Sequence, residues 1–446
     1  MIENRQYRIS TSGLEGKKSL AEVVEDMIGP NALRWYVGQI IDDEIIVEVT
    51  VAPEAVNRFN HSISNRFYPG KCVALSVIPT GVACDIGGYA GDAAPITNLL
   101  ASTVDYLVTN PNALNASDFI GLDSNNVVYT DGFSIDLFSS GAADLYLPYS
   151  NKVGLIVEKT EVGNLDTVFN ILNTVRAVHG VNVSDYVVTD RPIGGRCVKN
   201  KSGAITGVID NPQVLFEACD KLTAAGVDAI AVTSDIQALS FEDYAKHFDG
   251  RHPNPVGGVE AIISYSITER YRIPSAHAPL VNLKEMELLH KVVDCRGAGE
   301  MASASGLACI LIGLKKAPQI SPKSGTRVRD IINKNNLLAV VSPESCLGGV
   351  PQLHAEKDGI PIIAVEENST LLNVNKSKLG MRGVVDVRNY AEAAGVLMAL
   401  RKGISLESIA RPLRTIRYEQ EKLAGGRDMA VEKRQPDLFA ECPVGL

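Results

Sequence analysis

Short apolar runs recur along this chain, each ending in a glycine-rich or polar turn that leads into a helical stretch. That alternation points to parallel strands joined by crossover helices. The runs are VALSVI (73–78), YLVT (106–109), VGLIVE (153–158), YVVTD (186–190), VDAIAVT (227–233), LLAVVS (337–342), IPIIAVEEN (360–368) and VVDV (384–387). Between them, residues 95–104 read as a helix. Leu165, Val168, Phe169, Leu172 and Val175 mark one apolar helical face. Asn211 and Pro212 open a further helix that stops at Gly226. Helices are also expected from about Val259 and over 390–402.

A chain of 446 residues exceeds what one hydrophobic core usually organises. Residues 1–70 read as a small N-terminal α+β segment, with a helix at 20–28 and a strand at 44–51. The main α/β lobe takes 71–150 and resumes over 255–412, residues 151–254 make a second α/β lobe, and 413–446 form a peripheral tail. The boundary near 254 rests on FEDYAKHFDGRHPNPVG (240–256), where charge, Pro and Gly interrupt the pattern. The fold class is therefore α/β: two lobes with mainly parallel sheets and crossover helices, plus the small N-terminal segment.

Charge and cysteine usage narrow the partners. The net charge is -9 and Lys and Arg are scattered, so no basic stripe exists to meet nucleic acid. No apolar run approaches the roughly 20 residues that span a bilayer, and Met1 and Ile2 are followed by Glu3, Asn4 and Arg5, so the expectation is a cytoplasmic protein with no membrane partner. Eight cysteines stand singly, without a CxxC, and are expected as reduced thiols with no bound metal. No cofactor is expected either: a Walker A ending and a Gly-x-Gly-x-x-Gly are both absent.

Five loops at strand ends carry the polar chemistry. The first, PTGVACDIGGYAGD (79–92), holds Asp85, Gly87, Gly88, Tyr89 and Asp92 directly before a helix, where backbone N–H groups favour an anion. A tight, close-packed turn is the competing reading. The second, TNPNALN (109–115), presents Asn110 and Asn112, able to orient a carboxylate or amide or to close Asx turns. The third, NPVGGVE (254–260), brings Gly257, Gly258 and Glu260, and is followed by His277, the first candidate for acid–base work although a structural role competes. Glu300, with Ser303 and Ser305 beside it, completes that group or serves helix packing. The fourth loop offers Cys346, a conceivable nucleophile near a helix start or an inert thiol, with Gly348 and Gly349, and the fifth ends in Asn368, Ser369 and Thr370.

As an ordered set, PTGVACDIGGYAGDAAP, TNPNALN, VGGVEAIISYS, IPSAHAP, EMASASGLA, CLGGVPQLHAEKDGIPIIAVEENST and NYAEAAGVLMALRKGI resemble the domain-of-unknown-function 3326 family of bacteria and cyanobacteria, over roughly 72–412. The resemblance implies one recurring fold and no established activity. A weaker, architectural similarity is to the aspartate/glutamate racemase superfamily, which places one catalytic cysteine in each lobe; here Asn110–Asn112 and Thr233–Ser234 stand at the corresponding strand ends. The functional expectation is a cofactor-independent enzyme for a small anionic or amide metabolite held between lobes, working by proton transfer, isomerisation, elimination or hydrolysis. A phosphate or sugar-nucleotide transferase and a noncatalytic small-molecule sensor are the alternatives, and self-association is left open.

Overall fold

The structure, a computed structural model, describes residues 2–11, 19–28, 32–52, 70–110, 115–116, 119–120, 125–160, 165–250, 252–280, 292–302 and 306–416. Asn112, Ser303 and Ser305 lie outside them, as does most of the tail.

Six parallel strands build the larger sheet, in the order Val384–Val387, Ile362–Val365, Leu337–Pro343, Val73–Ser76, Tyr106–Thr109, Val127–Tyr129. Such strands are covered on both faces, so they read as continuous apolar runs rather than alternating ones. Ala74, Ile363 and Val365 pack with Leu100 and Leu397 of the helices Ala94–Ala101 and Tyr390–Arg401. Val73, Leu75 and Ile362 face the other way, toward Phe133, Phe138 and Ala355 of Gly132–Ser140 and Val350–Lys357. From its middle the sheet grows outward in both directions. The helix that follows Val73–Ser76 covers one face and the helix that follows Leu337–Pro343 covers the other. That makes the gap between these two carboxyl ends a topological switch point, the place where open α/β sheets bind ligands.

A second parallel sheet runs Asn182–Val188, Lys152–Val157, Ala229–Ser234, Ser275–Pro279. Its last strand lies beyond the boundary drawn at 254 and bonds to Ala229–Ser234, so the second sheet recruits chain from the segment assigned to the main lobe. The interruption at 240–256 also contains a helix, Phe241–Phe248, whose N-cap Ser240 accepts from the Asp243 N–H at 3.1 Å. Its charges are those of an exposed amphipathic helix rather than of a linker.

The N-terminal unit is an antiparallel sheet, Glu3–Ser10, Glu44–Val51 and Ala32–Ile41, with the helix Leu20–Ile28. Both outer strands are docked. Ile2 bridges Ile209 and the Asn4 amide donates to Thr206 Oγ1 at 2.6 Å, while on the other side Tyr36 bridges Gly349 and the Val37 N–H donates to the Gly348 carbonyl at 2.7 Å. Gly348 has no room for a side chain, because a Cβ there would press into Val37 at 2.5 Å.

Candidate functional site

A cavity of about 210 Å³ opens at the switch point. Residues 77–80 wall it after the strand Val73–Ser76, and Cys346 with 348–352 wall it after Leu337–Pro343. Residues 34–37 of the N-terminal sheet cover it. Asp131 and Asp136 line it from around the helix Gly132–Ser140, Glu260 and Tyr265 from the helix Gly257–Tyr271, and His277 from the second sheet.

His277 sits between two oxygen groups. Its Nε2 is 2.8 Å from Ser234 Oγ and its Nδ1 is 3.3 Å from Glu260 Oε1. With Nδ1–H donating to the carboxylate, Nε2 is left to accept the Ser234 hydroxyl. This is the order of a serine–histidine–acid relay, but accessibility assigns the roles differently. Ser234 is 0% exposed and is not part of the cavity wall, and the His277 side chain is 0% exposed, whereas that of Glu260 is 14% exposed. Glu260 is therefore the member best exposed to a ligand; His277 lines the cavity with a closely packed ring, and Ser234 stands behind it.

Two more carboxyls line the cavity. Asp131 caps the helix Gly132–Ser140, accepting from the Ser134 N–H at 3.0 Å and hydroxyl at 2.8 Å, and burial pushes it up to about 6. Asp136 accepts from the Tyr265 hydroxyl at 2.7 Å; burial pushes it up to about 7 against the opposing pull of Tyr265 and Arg34. The Arg34 guanidinium lies over the Tyr36 ring at 5.0 Å and 5.9 Å from the Tyr265 ring, and its buried Nη1 has no hydrogen-bond partner among the described residues. Gln352, 1% exposed, donates from Nε2 to Ser342 Oγ at 2.8 Å, and its Oε1 has no partner among the described residues.

The sequence candidates divide. Asn110, Gly257, Glu260, His277, Cys346, Gly348 and Gly349 line the cavity. Asn110 is committed to the backbone, however: its Oδ1 accepts from the Ile78 N–H at 3.0 Å and its Nδ2 donates to the Ile78 carbonyl at 2.9 Å. Cys346 lines the cavity, but its setting disfavours the thiolate. It is 5% exposed, and burial pushes its thiol up to about 11, so the helix start that follows does not generate a thiolate.

The other candidates lie off the cavity wall. Asp85 is exposed, where it accepts from the Ser369 hydroxyl and lies 3.6 Å from the Arg296 guanidinium. Ser369 is exposed with it. Asn368 is fully buried and ties the loops together, through the Ile86 N–H at 2.9 Å, the Ile86 carbonyl at 2.9 Å and the Tyr390 hydroxyl at 2.8 Å. Thr370 Oγ1 bonds to Ser345 at 2.8 Å and to Cys346 Sγ at 3.1 Å. Gly87 and Gly88 meet Ile78 and the Cys84 carbonyl, and Gly258 meets the Ile205 carbonyl, so these three glycines permit close packing. The three glycine pairs therefore do not share one cleft, because only Gly257, Gly348 and Gly349 reach it.

Tyr89, Asp92 and Glu300 gather nearby. Tyr89 is buried and stacks on His247 with ring centroids 4.3 Å apart, and its N–H donates to Asp92 at 3.3 Å. Glu300 accepts from the Ala90 N–H at 2.6 Å, and burial, aided by the charge of Glu260, pushes it up to about 7. Burial likewise pushes Asp92 up to about 6.

The sequence reading missed Arg34, Tyr36, Asp131, Asp136, Tyr265 and Gln352. Thr-Asp-Gly at 130–132 follows an apolar run and carries the cap signature of a strand-end loop. A lone arginine inside ALRWYVGQII is the only local sign of Arg34.

Among the described residues no cluster of His, Cys, Asp and Glu has the arrangement of a metal site, and no helix is long and apolar enough to cross a membrane. A protein of Synechococcus sp. named as an uncharacterized lipoprotein is 32% identical over 351 residues, which cover 77% of this chain and 95% of that protein. No solved structure matches the chain, and the similarity to the aspartate/glutamate racemases finds no support. The family described as "Protein of unknown function (DUF3326)" matches residues 73–410. The larger sheet, the second sheet and the relay at His277 all fall within that segment, and the chain belongs to this family.

Proposed function

We propose that the protein is an enzyme that moves protons on a small carboxylate- or amide-bearing metabolite held in the switch-point cavity, as an isomerase, lyase or hydrolase would. Glu260 is the acid–base group in contact with the metabolite, and His277 and Ser234 are positioning residues that hold it and share its proton. The observation carrying this reading is that Glu260 lines the cavity wall with the most exposed side chain of the three, while the His277 side chain is 0% exposed and Ser234 is off the wall. A general base must reach its proton within hydrogen-bond distance, and the most exposed member is best placed to do so. At about 210 Å³ the cavity lies below the range typical of drug-sized ligands, which supports a small metabolite. A reducing, cytoplasmic location fits the seven described cysteines, all free thiols.

The test is solvent exchange. Small carboxylates and primary amides are incubated with the protein in deuterated water, and replacement of carbon-bound hydrogen is followed by proton NMR. Exchange that is present in the wild type and lost in Glu260→Gln supports the reading. Equal exchange in both proteins, or none with any compound, counts against it.

A further inference from the structure

Arg34 is a cation set into a wall that is otherwise acidic, and it comes from outside the family segment, which begins at residue 73. Its buried Nη1 has no hydrogen-bond partner among the described residues; the faces of Tyr36 and Tyr265 lie beside it, and its charge acts on the Asp136 and Glu48 carboxyls. Rings in that position hold a guanidinium in place while its Nη1 stays available to an acceptor. Strand pairing brings Arg34 to the loop that bears Gln352. Arg34 and Tyr36 alternate onto one side of the strand, and Tyr36 bridges Gly349, three residues before Gln352. Gln352 in turn has a fully buried carbonyl oxygen without a partner among the described residues, on the same cavity. A buried acceptor left unsatisfied is costly unless a donor arrives.

We propose that the cavity takes a small zwitterion, a free amino acid or a close analogue, with its carboxylate on Arg34 and its ammonium group toward Gln352 Oε1 and the wall formed by Asp131, Asp136 and Glu260. One anionic group fits because the wall holds one guanidinium, and its Nη1 still lacks an acceptor among the described residues. A second anionic group would face the three carboxyl groups of the wall, and like charges repel. An ammonium group meets those same carboxyls favourably and supplies the missing donor. Arg34 is then the residue that sets the substrate class, and the N-terminal sheet is the specificity element of an otherwise family-wide site. The inference rests on the switch-point cavity being the ligand site and adds the identity of its head group to the reading above.

The test is calorimetric binding with named probes: alanine, serine, valine and glutamate in both enantiomers, against propionate, succinate and ethylamine. At least one amino acid is expected to bind, and each singly charged control and the dicarboxylate to bind at least about tenfold more weakly. Arg34→Met is expected to lose roughly 10- to 100-fold in affinity, the equivalent of one charge-assisted hydrogen bond, with Arg34→Lys recovering part of it. Circular dichroism checks that both variants are folded, and Gln352→Leu, which leaves Arg34 intact, gives a second and independent loss. Succinate or propionate binding as well as any amino acid, affinity unchanged in folded Arg34→Met, or no binding by any probe overturns the proposal. Amino-acid binding that depends on Arg34 without any deuterium exchange would overturn the proton-transfer reading alone. Glu260-dependent exchange on propionate that ignores Arg34 would overturn this one alone.

Discussion

Glu260 on the helix Gly257–Tyr271 and His277 on the strand Ser275–Pro279 meet at 3.3 Å, joining the element that lines the cavity to the sheet behind it. The carboxylate is oriented from the rear and open at the front, the arrangement expected of a group that exchanges protons with a bound molecule. Glu260→Gln keeps the shape and loses the proton site, so its exchange rate is expected to fall about 10²- to 10⁴-fold. His277→Gln is expected to lower that rate less and to shift its pH profile. Deuterium exchange measured across pH on both variants checks this.

Stability is expected to fall as pH rises from the ordinary carboxylate range to neutrality. Asp136, 4% exposed, titrates at about 7 in the folded protein, and Asp131 at about 6. Below the unfolded value both states hold the proton. Between that value and the folded one, only the folded chain holds it, so each pH step upward favours unfolding until the folded group also titrates. Asp136→Asn is expected to flatten this dependence by roughly 1–3 kcal/mol, read by urea denaturation near pH 4.5 and pH 7.5.

His354 Nε2 lies 2.6 Å from Glu25 Oε1, with both side chains 2% exposed, and the pair ties the helix Leu20–Ile28 to the helix carrying Gln352. Removing His354 takes the 2.6 Å partner from a buried carboxylate. His354→Ala is expected to cost about 3–5 kcal/mol, and the double replacement His354→Leu with Glu25→Leu to cost less than the two single changes summed. A denaturation-based double-mutant cycle decides.

Thiol labelling separates buried cysteines from an exposed one. Cys295 is exposed, whereas Cys84 and Cys346 are buried with their thiols pushed up by burial. Iodoacetamide at neutral pH is expected to modify Cys295 well before Cys84 or Cys346, as read by peptide mapping. Cys346→Ala is expected to retain deuterium exchange within about threefold, since a buried neutral thiol supplies no nucleophile.

Much of the framework was legible because buried parallel strands write themselves as uninterrupted apolar runs. IIAV at 362–365 and VALS at 73–76 needed no tertiary knowledge. Strand ends then led to His277, Glu260 and Gly257, all of which reach the cavity. Asp85 and Ser369 show the limit of that signal: two polar loops pinned to each other on the surface look the same in sequence as two loops converging on a ligand. Arg34 was hidden for a different reason. Its place in the site depends on the pairing of residues 36 and 37 with 348 and 349, and no local periodicity encodes a contact between opposite ends of a chain. The strand Ser275–Pro279 escaped its sheet assignment similarly, since its partner Ala229–Ser234 lies on the far side of a charged helix that reads as a break.

The seam between Tyr36 and Gly349 also has a history in time. At 5–20 residues per second, the ribosome delivers residue 349 about 15–60 s after the strand Ala32–Ile41 has emerged. Throughout that interval the strand is an outer edge with unpaired backbone groups, a template for pairing with any neighbouring nascent chain. The newborn protein therefore passes through a vulnerable stage that ends only when its own later half arrives, and chains released before that point would be natural clients for chaperones.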